Sequence, residues 1–140
     1  MTASEIEIRY RELGLANLRE LNKEIRIELK YASADNFMHR NMYGELKSAY
    51  LEPRLALAVC RVQEDIERIR PGHRLVVFDA ARPLSIQKAM FEQVRGTEQE
   101  RYVANPYAAF RGGFHNYGMA VDMSIEDARG RLLDMGTEFD

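Results

Sequence analysis

The segment from Pro53 to Gly72 constrains the fold most strongly, because its apolar residues follow a helical period along its whole length. Proline is favoured in the first turn of a helix, and the pair Pro71-Gly72 ends one. Apolar residues between these limits recur at intervals of three and four positions, which predicts an amphipathic helix. They are Leu55, Val59, Val62, Ile66 and Ile69. The single cysteine, Cys60, falls within this helix, and we expect it to be a small buried residue.

Other segments have the patterns of strands. Apolar and charged residues alternate over 25–31, as in a half-buried strand, and 75–78 is a continuous apolar run typical of a buried strand. Alternation recurs over 119–125, and a turn at 127–130 is expected to lead into a short strand at Leu132-Leu133. These patterns predict a small, mostly antiparallel sheet.

Two further helices are expected. Ser4 and Glu7 have the spacing of a capping box and predict a short N-terminal helix. Ser85 can cap a helix that continues through Val94 and is closed by Gly96. With the sheet, these helices predict the α+β class: a single domain over residues 1–140 in which helices flank the sheet.

Length and composition exclude several classes of protein. A chain of 140 residues with 46% hydrophobic and 30% charged residues suits one globular domain. It has no apolar run long enough to span a bilayer. Its net charge is -2 and it has no block of basic residues, so binding to nucleic acid is not expected. The start of the sequence lacks the pattern of a secretory signal, so we expect a cytoplasmic protein, or a periplasmic one if a signal peptide has been removed.

The stretch from Gly113 to Asp122 carries one candidate site. His115 and Asp122 would point to opposite faces of an unbroken strand, so a shared site requires a turn between them, and Gly118 can supply it. Imidazole and carboxylate groups both bind zinc. A hydrogen-bonded structural pair is the alternative for these two residues.

A second candidate is Arg82, which follows the predicted buried strand and precedes Pro83. Proline favours extended geometry at the preceding residue, so the guanidinium would project from the strand end in a defined direction. There it could bind a carboxylate or stabilise an oxyanion. The alternative is a surface salt bridge with Asp79 or another acid.

Four motifs occur in the order in which they occur in a known family. They are Ile27-Glu28-Leu29-Lys30-Tyr31-Ala32 with Asp35-Asn36-Phe37; Asp79 with Arg82-Pro83; His115 with Gly118, Ala120 and Asp122; and Asp134-Met135-Gly136-Thr137-Glu138-Phe139-Asp140. With these motifs the sequence resembles the D-alanyl-D-alanine dipeptidases of vancomycin resistance and other zinc D-Ala-D-Ala peptidases.

The resemblance implies a role for each matched residue. His115 and Asp122 fall on the first two ligands of a single zinc ion, and Arg82 falls on the arginine that stabilises the tetrahedral transition state. Asp140 matches an acid near the site of the substrate's free ammonium group. The implied reaction is hydrolysis of D-alanyl-D-alanine or a similar small dipeptide from peptidoglycan metabolism. Oligomeric state does not follow from it.

The sequence departs from the family in three ways. The family's Glu-x-x-His motif, which supplies the general base and the third protein ligand of zinc, is missing from these 140 residues, so we expect an incomplete site in this chain, as in a truncated or cleaved product. Ala81 stands where relatives often have tyrosine, and Gly113 where they often have serine. Two other functions stay open: a peptidoglycan carboxypeptidase or endopeptidase, and a non-catalytic peptide-binding domain.

Overall fold

A three-stranded sheet in the order β2–β4–β5 lies at the centre of the computed structural model, which describes residues 2–32, 46–107 and 114–136. Strand β2 is Arg26–Ile27, β4 is Arg74–Asp79 and β5 is Asp122–Glu126. β4 is parallel to β2 and antiparallel to β5. A strand with neighbours at both edges and layers on both faces is apolar throughout, which explains the continuous run of apolar residues in β4.

A second, two-stranded sheet pairs β1, Ala16–Asn17, antiparallel to β3, Tyr50–Leu51. The helices are α1, Ala3–Glu12; α2, Leu18–Leu21; α3, Pro53–Ile69; and α4, Leu84–Val94. Short 3-10 helices occur at Lys30–Ala32, Glu98–Tyr102 and Phe114–Tyr117. The predicted α+β class, with helices around a small and mostly antiparallel sheet, is confirmed.

Helix α3 has the predicted bounds, but its buried face differs from the prediction. Val59 and Cys60 are buried as expected, whereas Val62 and Ile69 are exposed. Gln63 is buried in their place, because its side-chain oxygen accepts a hydrogen bond of 2.7 Å from the backbone N–H of Leu75 in β4. One buried amide thus joins the helix to the central strand.

The predicted capping box of α1 is wrong by two residues. Thr2 accepts a hydrogen bond from the backbone N–H of Glu5, and the Glu5 carboxylate accepts one from the backbone N–H of Thr2. Thr2 is therefore the N-cap of α1, and Ser4 lies inside the helix. The helix buries Ile6 and Tyr10, which lie on one face. Ile8, on the other side of the helix, is exposed.

Two predicted strands are shorter than expected. The segment predicted over 25–31 contains only the two residues of β2, because the chain turns into a 3-10 helix at Lys30. In place of the short strand predicted at Leu132-Leu133, Leu132 forms a single isolated bridge with Glu126. Helix α4 also begins one residue before Ser85, and Pro83 is its N-cap without a side-chain hydrogen bond.

Within the described ranges, none of the helices combines the length and the apolar character needed to cross a lipid bilayer.

Candidate metal and anion site

The site is built on an irregularity in the pairing of β4 with β5. Arg74 to Val77 of β4 pair in regular register with β5, and the register then shifts so that Asp79 lies opposite Asp122. Without that shift Asp79 would lie opposite Val121. Directly opposed residues of antiparallel strands point to the same face, so the bulge brings two carboxylates together at one end of the sheet.

His115 reaches the same place from the turn that precedes β5. It lies in the 3-10 helix Phe114–Tyr117, and Gly118 then reverses the chain with a positive φ of 69°. The backbone N–H of Arg82 donates to the His115 carbonyl at 2.8 Å, and the Asn116 amide donates to the Arg82 carbonyl at 2.8 Å. These bonds hold the His115 turn against the segment that follows β4. The predicted turn at Gly118 is confirmed.

The His115 ring has a defined tautomer. Its Nδ1 lies 2.7 Å from the Ala80 carbonyl oxygen, which can only accept, so Nδ1 carries a proton and donates it. Nε2 of the neutral ring then presents a lone pair, and it lies 3.3 Å from a carboxylate oxygen of Asp122. Two facing lone pairs repel unless a cation lies beside both of them. This arrangement, with the far nitrogen tied to a carbonyl, is typical of metal-binding histidines.

Asp79 adds a third ligand atom to this pair. One ligand atom from each of Asp79, His115 and Asp122 lies within 4.8 Å of the others. Asp79 is completely buried, whereas Asp122 is partly exposed. In the sequence Asp79 stands out only next to Arg82, in a shared motif and as a possible ion-pair partner, since the register shift that places it opposite Asp122 has no signature in the sequence.

Arg82 lies beside the site through Asp79. Its Nη2 forms an ion pair with Oδ2 of Asp79, and its Nη1 donates to the Gln87 side-chain oxygen at 2.7 Å. The alternative interpretation of Arg82, a surface salt bridge with Asp79 or another acid, names the right partner but the wrong environment: the pair is buried, with the Arg82 side chain 9% exposed. A buried carboxylate at the end of β4 needs a cation nearby, and the arginine three residues later supplies it.

The local charges favour binding of a cation. Asp79 and Asp122 are both acidic and Arg82 is basic, which leaves one net negative charge when His115 is neutral. Burial by itself lowers the pKa of His115, but the hydrogen bond to Asp122 and the charge of Asp79 outweigh it, so the pKa is raised. The two carboxylates therefore stabilise a positive charge at His115 Nε2, whether a proton or a metal ion carries it.

A family model described as D-ala-D-ala dipeptidase, Peptidase M15, matches residues 11–140. The chain belongs to this family. The D-alanyl-D-alanine dipeptidase of Escherichia coli (strain K12) is 30% identical over 126 residues, which make up 90% of this chain and 61% of that protein. The chain thus spans less than two thirds of the length of this dipeptidase relative.

The structure brings together three of the four site residues named from the sequence. His115 and Asp122 are in contact, and Arg82 is joined to them through Asp79. Asp140 lies outside the described residues, so its predicted role in binding the substrate stays a prediction. The imidazole nitrogen and carboxylate oxygens fit the ligands that a zinc ion prefers, and the Ala80 carbonyl already fixes the histidine tautomer that such an ion requires.

Proposed function

We propose that this chain carries the first part of the active site of a zinc-dependent dipeptidase that hydrolyses D-alanyl-D-alanine or similar D,D-dipeptides. The observation that supports this most directly is the contact between His115 and Asp122, with Arg82 held beside them by Asp79. Family membership and the similarity to the Escherichia coli dipeptidase point to the same reaction.

His115 and Asp122 would hold the zinc ion, and Asp79 would either bind it directly or hold the positions of the groups around it. A bound zinc ion polarises a peptide carbonyl and lowers the pKa of water. The hydrogen bond from His115 Nδ1 to Ala80 holds the ring with Nε2 beside Asp122, where these two residues would bind the ion together. Ala80 directly follows Asp79. One short segment therefore supplies a carboxylate of the site and also fixes the orientation of the His115 ring.

Arg82 would act on the substrate rather than on the metal. A guanidinium held next to the metal ligands can stabilise the negative oxygen that develops on the scissile carbonyl. Asp79 and Gln87 hold the guanidinium in place before substrate binds, so little reorientation of Arg82 is required during the reaction. We propose that Asp140 contributes recognition of the substrate's ammonium group, as the resemblance implies.

General-base chemistry is not assigned to any residue in this sequence. None of the three histidines has glutamate three residues before it, since Asn36, Arg70 and Gly112 occupy those positions. The proposal therefore predicts zinc binding by this chain, and hydrolysis by a protein that also supplies a Glu-x-x-His motif. The substrate class would connect the protein to peptidoglycan metabolism.

Substrate hydrolysis by the full-length gene product tests the proposal. The zinc-loaded protein is given D-Ala-D-Ala, L-Ala-L-Ala and a peptidoglycan stem pentapeptide, and released alanine is measured. We expect hydrolysis of D-Ala-D-Ala only. Cleavage of the pentapeptide would instead indicate a carboxypeptidase or endopeptidase, and binding of D-Ala-D-Ala without hydrolysis would indicate a non-catalytic peptide-binding domain.

A further inference from the structure

Gln87 is a buried polar residue next to Arg82. It lies in the first turns of α4 and is 1% exposed. Its side-chain oxygen accepts the hydrogen bond from Arg82 Nη1 at 2.7 Å, and its side-chain nitrogen donates to the Ala104 carbonyl at 2.7 Å. Both ends of the amide are therefore engaged, which fixes its orientation.

Gln87 and Asp79 hold different nitrogens of the same guanidinium. Asp79 contacts Nη2 and Gln87 contacts Nη1. A single contact would leave a planar group free to swing about that contact, whereas contacts at both terminal nitrogens define its plane. A guanidinium presents its donors in a rigid fork, so contacts that fix its plane also fix the direction in which it can stabilise a substrate oxygen.

The chemical difference between the two holders matters for an anion-stabilising group. Asp79 is negative and offsets the charge of Arg82, whereas the amide of Gln87 is neutral and holds the guanidinium without offsetting it further. Helix α4 places Gln87 accurately, because its backbone N–H donates to the Pro83 carbonyl at 3.0 Å. Gln87 is thus tied by its backbone to Pro83, the residue directly after Arg82.

We propose that Gln87 is a positioning residue that orients Arg82 for stabilisation of the transition state. This inference rests on the proposed dipeptidase function. Gln87 is proposed to act only through Arg82, because its side-chain hydrogen bonds among the described residues go to Arg82 and to the Ala104 carbonyl, and neither goes to a residue proposed to hold the metal. It should therefore affect catalysis and leave zinc binding unchanged.

The chain offers a matched control in Gln63, the other fully buried glutamine of the described residues. It joins α3 to β4 through a hydrogen bond of 2.7 Å to Leu75 and lies outside the site. Replacing either glutamine by methionine removes one buried amide of the same size. A purely structural role for Gln87 predicts that both variants lose stability and keep their activity per folded molecule.

The test is a double-mutant cycle on the full-length gene product, with kcat/KM for D-Ala-D-Ala, zinc content and Tm measured for each protein. We expect Gln87→Met to lower kcat/KM about tenfold or more, the size of a lost hydrogen bond to a charged group. The same substitution in an Arg82→Lys background should change kcat/KM less than about twofold, because the group it orients has been altered. Gln63→Met should keep kcat/KM and the zinc content of the wild type.

If Gln87→Met does not fold, Gln87→Asn replaces it, since the shorter amide withdraws its oxygen from Arg82. Equal losses of kcat/KM in the wild-type and Arg82→Lys backgrounds would overturn the positioning role and leave the dipeptidase function intact. A fall in zinc content in the Gln87 variant would also overturn it. Absence of D-Ala-D-Ala hydrolysis by the wild-type protein would overturn the proposed function and this inference together.

Discussion

Asp79 and Asp122 lie directly opposite each other across β4 and β5, and they do so because the register shifts by one residue between Val77 and Asp79. The shift turns a regular antiparallel pair into a site with two carboxylates on one face. His115 adds its Nε2 from the preceding turn, and Arg82 offsets part of the negative charge. The chemistry of the site thus depends on one local irregularity of the sheet.

Zinc binding should depend unequally on the two carboxylates. Asp79→Asn should weaken zinc binding by the 10-fold to 100-fold that is usual for groups around a metal ligand, because Arg82 already engages Asp79. Asp122→Asn should weaken it more, because Asp122 directly faces His115 Nε2. Titration of the 140-residue chain with zinc, followed by calorimetry, measures both affinities.

Asp65→Asn is the control for that titration, because Asp65 is an exposed acid of α3 that pairs only weakly with Arg68. Its zinc affinity should equal that of the wild type. A greater loss for Asp79→Asn than for Asp122→Asn would show that Asp79 is the more important ligand, and the assignment of Asp122 would then be wrong.

Gly118→Ala should destabilise the chain by more than the usual cost of a left-handed residue. Gly118 has a positive φ of 69°, and a Cβ there would lie 3.0 Å from the backbone nitrogen of Glu52 and 3.0 Å from a methyl carbon of Leu15. Backbone strain contributes about 1–2 kcal/mol, and the contact with the backbone of α3's N-cap adds to it.

Gly14→Ala separates these two effects, since Gly14 has a similar φ of 78° and no atom within 4 Å of the added Cβ. Urea unfolding of both variants measures the difference in the free energy of unfolding. We expect Gly118→Ala to be less stable than Gly14→Ala by at least about 1 kcal/mol. Equal values would mean that the contact at Gly118 is easily relieved.

Glu126 should contribute stability that is lost in acid. It is buried between Arg26 and Arg74, and although burial alone raises its pKa, hydrogen bonds from both arginines outweigh burial and lower the pKa below its ordinary value. A group whose pKa is lowered on folding stabilises the protein above its unfolded pKa of about 4.3, and this stability disappears as pH falls through the folded pKa.

Thermal unfolding from pH 7 to pH 3 tests this contribution. Glu126→Gln should lower the free energy of unfolding by about 1–2 kcal/mol at pH 7, a discounted value because both arginines are partly exposed. The gap in Tm between this variant and the wild type should narrow towards pH 3. Glu20→Gln, at an exposed pair with Arg11, should show little difference at any pH. A gap that widens in acid would contradict the assignment.

Tyr10→Phe should destabilise the segment that follows β4. The buried Tyr10 hydroxyl donates to the Ala81 carbonyl at 2.8 Å, and its pKa is raised by burial first and by the charge of Asp79 second. The variant leaves a buried carbonyl without this donor, at a cost of about 1–2 kcal/mol. Urea unfolding measures the loss, and Tyr102→Phe at an exposed position is the control. A loss equal to that control would mean that the hydrogen bond adds nothing.

The elements that the sequence predicts well are those in which local pattern and burial agree. Helix α3 has its predicted bounds because proline, apolar period and Pro-Gly all specify the same segment. The strand over 25–31 is mostly wrong, since the alternation of apolar residues persists where the chain already turns into a 3-10 helix at Lys30. Burial of alternate residues therefore does not require an extended backbone.

The candidate site likewise contains residues that the sequence could indicate and residues that it could not. His115, Asp122 and the turn at Gly118 could be named because zinc ligands and left-handed turns restrict residue type. The contribution of Asp79 could not, because a β-bulge depends on the pairing of distant strands. Gln87 was missed for a similar reason, since its partner Ala104 lies 17 residues away. The cytoplasmic location stays a prediction.

Release of D-alanine from D-Ala-D-Ala by the full-length gene product tests the central claim most directly, measured with bound zinc, after removal of the metal by a chelator, and for His115→Ala. The account predicts hydrolysis with zinc, loss of hydrolysis in the chelated protein with recovery when zinc is returned, and no hydrolysis by His115→Ala protein that is folded at the assay temperature. Hydrolysis that persists without metal, or that His115→Ala retains, would contradict it.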